Sequence, residues 1–400
     1  MTTKSGLVPS TALDPFTPDA LANPYPVYRE LRDLGPVVYL GAHSVWLITR
    51  YDDVRAALTD WETFTSSRGV AMTAEMSEFM VGTPLGTDPP EHDQLRAVLS
   101  DKLVPRALAK LRTEVRRRAD ELVAEVVARR EFDAMSDLCQ RFPVSVVADL
   151  VGLPQQGREI LLPGAEAMFA TFGPMDERLQ ARMPDIQRFV EFMNTVTTRE
   201  HLAEGSWGAA ILDAVNEGRI KPESAVPLMS AYLIAGMDTT TYAIGAYVQV
   251  LAERPDVWAA LKADPSRVAA GFEEVLRFHP VANYAIRLAT RDVEVAGATI
   301  PAGARVLLGL GSADRDERHY PDPDCFDLDR NPLDHLSFGN AVHACAGQGL
   351  ARIEAAALIT ALLDRVDHLE LAGPAVPMTR VPGIHGFDRL PVVVTPTEEV

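Results

Sequence analysis

Three cysteines in 400 residues, Cys139, Cys325 and Cys345, are too few and too scattered for a disulfide framework or paired CxxC zinc ligands. Positive charge is also scarce. Against 56 acidic residues stand 38 Lys and Arg, a formal net charge of −18. Such a surface has no general affinity for nucleic acid or an anionic membrane. The opening "MTTKSGLVPSTALDPF" lacks the apolar stretch of a secretory signal or anchor. No repeat and no low-complexity run appears. The expected setting is a reducing cytoplasm, where Cys345 stays unpaired.

What is present is enough apolar sequence, 47% of residues, for a large core. Residues 1–22 read as a polar, Pro-bearing arm, and residues 23–400 as one large catalytic domain without a credible linker. "PYPVYRELRDLG" predicts a short helix closed at Gly35, and "VVYL" and "VWLIT" a hairpin around Gly41–Ser44. Helical patterning dominates from Pro90 to about Ala263. Short strand signals follow, such as "VEVAG" and "ARVLLGL", and then a Pro-rich polar meander. The fold class is mainly α with small β-sheets, built on a long central helix.

One run, Ala225 to Val250, is long enough to cross a bilayer as a helix. Asp238 sits in its middle, at a cost of roughly 2.5–3.5 kcal/mol, and threonines follow it. With no second such run, it reads as a helix through a soluble core.

The most informative stretch is "HLSFGNAVHACAGQGLARIEAA", His335–Ala356. A loop cysteine is ordinarily a small buried hydrophobe. Cys345, however, lies where a helix begins, so free N–H groups and the helix dipole favour a thiolate. Gly339 and Gly347 let the backbone approach something flat, Phe338 offers an aromatic face, and His343 a donor. A thiolate with one open side suits a metal cofactor, and haem iron is the one expected. Zinc held by His335, His343 and Cys345 would lack a fourth ligand at a suitable spacing.

"FGNAVHACAG" resembles the haem-binding loop of the cytochrome P-450 family. Phe338, Gly339, His343, Cys345 and Gly347 match its pattern, while Ala341 stands where the family usually has glycine. If that position requires positive φ, alanine costs on the order of 1 kcal/mol. "AGMDTT" is similar to the family's acid–alcohol signature, which implies catalytic roles for Asp238 and Thr239. Ala235 and Gly236 would leave a groove for O2, Thr239 would hydrogen-bond it, and Asp238 would link that site to solvent protons. The ordinary alternative for Thr239 is a hydroxyl bonded to its own i−4 carbonyl.

Glu274 and Arg277 in "FEEVLRFHP" fit the family's ExxR pair, with Arg330 in the meander as the third member, a structural support for the cysteine loop. Without the resemblance they are a common helical ion pair. His92 and Arg96, one turn apart, with Arg287 and His343, occupy the positions that hold the two haem carboxylates in the family. The cofactor implied is haem b, with O2 as co-substrate.

The resemblance implies a monooxygenase that hydroxylates or oxidatively dealkylates a small organic molecule. Electrons are expected from an iron–sulfur ferredoxin fed by an NAD(P)H-dependent reductase, docking at Lys102, Arg106, Arg112 and Arg116. The family's pocket positions here hold Val70, Met72, Leu85, Phe169, Phe172, Ala231, Ala235, Val281, Tyr284, Ala285 and Ile384. "TFTSSRGVAM" and "MFATFGPM" look similar to members that oxidise para-substituted benzoic acids. Yet "MTAEMSEFMVGTPLGTD" and "LMSAYLIAGMD" supply no arginine for a carboxylate, so a neutral, compact, apolar substrate is expected. The alternatives are a peroxide-driven haem-thiolate peroxygenase, which has no need of Asp238 and Thr239, and a haem sensor or carrier.

Overall fold

The computed structural model describes residues 8–397. Its axis is the central helix, Ala225–Glu253, which at 29 residues is about 43 Å long. The helix is apolar around most of its circumference, so neighbours bury it on all sides. Leu228, Met229, Leu233, Ile234, Met237, Tyr247 and Leu251 all lie in the main core. It stops at Arg254 (φ −125°, ψ 81°), because the following Pro255 excludes helical backbone there. Among the described residues, no helix is long and apolar enough to cross a membrane.

Around this axis pack the helices Arg141–Val151, Leu161–Ala170, Val268–Phe278 and Gln348–Arg365. The expected short helix runs Tyr25–Leu34 with Gly35 as its cap. Val37–Leu40 and Val45–Ile48 pair antiparallel, as the hairpin reading predicts. They belong to a six-stranded mixed sheet with Ser10–Thr11, Arg305–Leu308, Ala285–Ala289 and Phe64–Thr65. Val37 and Ile48 enter one core cluster, while Val38 and Leu47 enter another. Both faces are therefore covered, which is why these strands read as unbroken apolar runs. A three-stranded sheet, Glu131–Asp133, Val366–Leu371 and Pro391–Pro396, flanks the other end.

Of the stretch read as an N-terminal arm, residues 8–22 are described. They hold the strand Ser10–Thr11 and the helix Pro18–Ala22, with Phe16, Ala20 and Leu21 buried.

Candidate active site

A cavity of about 340 Å³ lies between the central helix and the loop carrying Cys345. From the loop side, Phe338, His343, Cys345 and Gly347 line it. From the central helix come Ala231, Ala235, Gly236 and Thr239, and from elsewhere Leu85, Phe169, Phe172 and Val281. Phe169 and Phe172 meet edge to face at 5.8 Å.

The loop is held by buried charge. Arg277 donates to both carboxylate oxygens of Glu274 at 2.7 Å, and neither side chain is exposed at all. Arg330 reaches the same carboxylate from the meander at 3.1 Å. Arg277 also donates to the carbonyls of Asp314, Pro323 and Cys325 at 3.1, 2.8 and 3.2 Å, so its remaining protons are satisfied. A second lock was not legible in the sequence. Glu273 accepts from Arg352 at 2.6 and 2.9 Å and lies 3.2 Å from His335 Nε2. Burial pushes Glu273 upward, but the bonds to His335 and Arg352 hold it at about 2. Arg352 in turn lies 4.6 Å over the Phe338 ring. A third lock joins Asp314 to Leu336 N at 2.7 Å and to Ser337 Oγ at 2.9 Å.

Within the loop, Cys345 N donates to Phe338 O at 2.8 Å. Gly339 has φ +67°, and Ala341 has φ +55°. The glycine position of the motif is thus a left-handed one, and Ala341 carries the strain foreseen for it, about 1 kcal/mol. The helix-start argument for a thiolate holds only in part. Burial pushes the Cys345 thiol up, while the N–H groups of Gly347 and Gln348 and the guanidinium groups of Arg96 and Arg352 pull it down. A cation bound at the sulfur would add to that downward pull and favour the thiolate.

The remaining loop-side residues fit a flat, dianionic iron macrocycle. Arg287 is 3% exposed and donates only to its neighbour's carbonyl, Ile286 O, at 2.7 Å. Burial lowers it to about 10 despite Asp88 nearby, and no ion pair neutralises it among the described residues. A buried guanidinium without a partner calls for an anion. His92 Nε2 is likewise buried and unpartnered, and the His92 and His343 rings meet at 4.7 Å. Arg96 donates to Ala344 O at 2.7 Å, at the foot of the cysteine loop. His343 Nε2 lies 3.0 Å from Ser66 Oγ and 3.2 Å from Asp88 Oδ1, and His335 is engaged by Glu273; neither ring is shared with Cys345.

On the central helix, Thr239 Oγ1 donates to Ala235 O at 2.7 Å. The ordinary i−4 bond is therefore made, and it leaves the hydroxyl oxygen as an acceptor in the cavity. Gly236 is small for a packing reason too, since a Cβ there would come 3.1 Å from Val147. Asp238 does not line the cavity. It is 1% exposed, with neither oxygen hydrogen-bonded among the described residues. Burial, then the like charge of Glu166, push its carboxyl well above the usual range against the pull of Arg380. Glu354, behind the cysteine loop, is also fully buried without a partner.

Of the expected pocket residues, Leu85, Phe169, Phe172, Ala231, Ala235 and Val281 line the cavity. Val70, Met72, Tyr284, Ala285 and Ile384 do not, and are corrected accordingly. Val70 and Ile384 belong to the main core. Met72 and Tyr284 pack in the cluster under the sheet, and Ala285 is in register with Leu308 within it. Trp207, Tyr232 and Val147 take their places in the wall.

The family model for cytochrome P-450 matches residues 187–382. The chain is 42% identical to "Cytochrome p450 CYP199A2" of Rhodopseudomonas palustris, over 97% of this chain and 95% of that one. It is 31% identical to the beta-dihydromenaquinone-9 omega-hydroxylase of Mycobacterium tuberculosis, over 96% and 79%. Among solved structures, CYP109E1 from Bacillus megaterium in complex with testosterone superposes with a TM-score of 0.86 at 28% identity, covering 94% of this chain and 99% of that one.

Proposed function

The chain belongs to the cytochrome P-450 family, monooxygenases that carry haem b and take O2 as co-substrate, and on that premise we propose that it oxidises a small, neutral, mostly apolar molecule by hydroxylation or oxidative dealkylation. The observation that carries this reading is the cavity wall. Among the described residues its one cationic lining side chain, Arg96, stands beside the cysteine loop with the His343 imidazole, which burial keeps neutral, and the region around Leu85, Phe169, Phe172 and Trp207 offers no cation for a substrate carboxylate.

When bound, haem supplies O2 activation, and a thiolate ligand on it favours O–O cleavage. The chain's residues divide the rest. Cys345 is the iron ligand, and Arg96, Arg287, His92 and His343 hold the carboxylates, with Phe338, Gly339 and Gly347 shaping the loop. Glu274, Arg277 and Arg330 keep that loop in place. Thr239 accepts a hydrogen bond in the cavity, and Asp238 holds the proton to be delivered, general-acid work worth about 10²–10⁴-fold. Leu85, Phe169, Phe172, Ala231, Ala235 and Val281 exclude water around the substrate.

Electrons arrive, in this reading, from an acidic iron–sulfur ferredoxin served by an NAD(P)H-dependent reductase, in the cytoplasm. Lys102, Arg106 and Arg112 have no acidic partner among the described residues; Arg106, Arg112 and the nearby Lys110 are exposed and Lys102 is half-buried. This segment packs against the helix that follows Cys345, where Leu108 lies against Gly349. Arg116 drops out of the patch, because Asp120 and Asp364 already engage it.

Spectral titration of the loaded enzyme with 4-methoxybenzoate and with 4-methoxytoluene tests the substrate class. Tighter binding of the neutral ether is expected. Preference for the carboxylate would overturn the neutral-substrate reading.

A further inference from the structure

Asp238 sits in the middle of the central helix with no hydrogen-bond partner, yet a cation is close by. One turn onward, Tyr242 donates to Glu166 Oε1 at 2.9 Å. Glu166, 5% exposed, belongs to the helix Leu161–Ala170. Arg380, from the C-terminal loop, donates to Glu166 Oε2 at 3.0 Å and to Oε1 at 2.7 Å. Arg182 stands 3.9 Å from the same carboxylate. Arg380 opens to solvent, where Asp388 engages its outer nitrogen. The charged and titratable groups about Asp238 are thus Glu166, Arg380 and Tyr242, with Arg182 and Asp388 behind them.

A buried carboxyl beside a guanidinium ordinarily ionises and pairs with it. Here the guanidinium is already spent. Both oxygens of Glu166 face it, and the fork has its two-pronged partner. Asp238 is left with burial and a like charge, which both favour its acid form.

We propose that Glu166 is a positioning residue that sequesters Arg380, so that Asp238 stays protonated between turnovers. The proposal rests on the reading of Asp238 as the proton donor. In the step it prepares, the Asp238 O–H bond breaks as a new O–H bond forms on the Thr239 hydroxyl oxygen, which passes its own proton into the cavity. The carboxylate left behind finds no free counter-ion, and a proton from solvent re-forms the O–H bond. No electron moves in this exchange. Glu166 lay unread in "GAEAMFATF", although a single acid in an apolar run was the available signal.

The test is the infrared carboxylic-acid C=O band of the loaded enzyme near neutral pH, assigned by its loss in Asp238→Asn; Glu354 remains as background. Wild type shows the Asp238 band. Glu166→Gln frees Arg380, so the band is lost and the alkaline limb of ferredoxin-driven turnover falls by about one pH unit. Glu166→Asp retains both, because it retains the charge. Arg380→Gln keeps the band, and the E166Q/R380Q double variant regains it. An unchanged band and pH limb in Glu166→Gln, or a missing band in either Arg380 variant, overturns the proposal. Should wild type show no band sensitive to Asp238→Asn, the proposal also fails. The proton-donor reading is then judged separately, by whether Asp238→Asn slows turnover.

Discussion

Two sets of buried carboxyls near the cavity are handled in opposite ways. On the cysteine side, Glu274 is shared by Arg277 and Arg330, Glu273 by Arg352 and His335, and Asp314 by Leu336 N and Ser337. On the central-helix side, the Asp238 carboxyl is buried with nothing bonded to it. Satisfied charge fixes geometry, because removing any partner strands the others. An unsatisfied carboxyl is held as an acid, and so can give up a proton. The locked carboxylates serve position and Asp238 serves reactivity, and the order in which substitutions hurt should follow that division.

The largest effect is expected on the positional side. Glu274→Ala leaves Arg277 buried without its carboxylate, a loss of roughly 3–5 kcal/mol. Thermal melts and haem retention should both collapse. If Glu274→Ala binds haem normally, the locks are ornamental and the division fails.

Asp238→Asn comes next, and its two effects should have opposite signs. Turnover falls on the order of 10²–10⁴-fold, as for a lost general acid. Stability rises. Folded Asp238 keeps a proton that the unfolded chain releases above the ordinary aspartate range. Wild-type stability therefore declines as pH climbs past that range, and the variant lacks this decline. Denaturant melts from about pH 4 to 7 should show the variant gaining over wild type, and parallel curves would mean that Asp238 is ionised in the fold.

A smaller effect belongs to the outer surface behind the cysteine wall. Arg106→Glu with Arg112→Glu should reduce ferredoxin-supported kcat/KM about tenfold at low ionic strength, with the gap closing as salt is added. Arg116→Gln should change the melt more than the kinetics, since Arg116 is engaged by Asp120 and Asp364. The smallest change is Ala341→Gly. At φ +55° it should stabilise the loaded protein by about 1 kcal/mol and sharpen haem retention. No gain would mean that the loop tolerates alanine without strain.

How much of this could be read from the sequence depended on distance along the chain. Glu274 and Arg277 are three residues apart, and the cysteine loop and central helix are contiguous, so local spacing exposed them. The Glu166–Arg380 pair spans 214 residues, Glu273–Arg352 spans 79 and Asp314–Leu336 spans 22. No periodicity reports such partners. The five expected pocket residues that do not line the cavity were misplaced for another reason. Chain order located the right neighbourhood near Pro280, but not which side chains turn inward. Val281 lines the cavity, while Ala285 is committed to the sheet and Tyr284 packs edge-to-face on Phe16.

The most direct test of the central claim, that Cys345 holds haem iron as a thiolate, is the absorption spectrum of the reduced protein under carbon monoxide. A strongly red-shifted Soret band is expected, and it should vanish in Cys345→Ser. A band at the position of imidazole-ligated haem in the wild type would contradict the account, because the locked loop would then be presenting no thiolate.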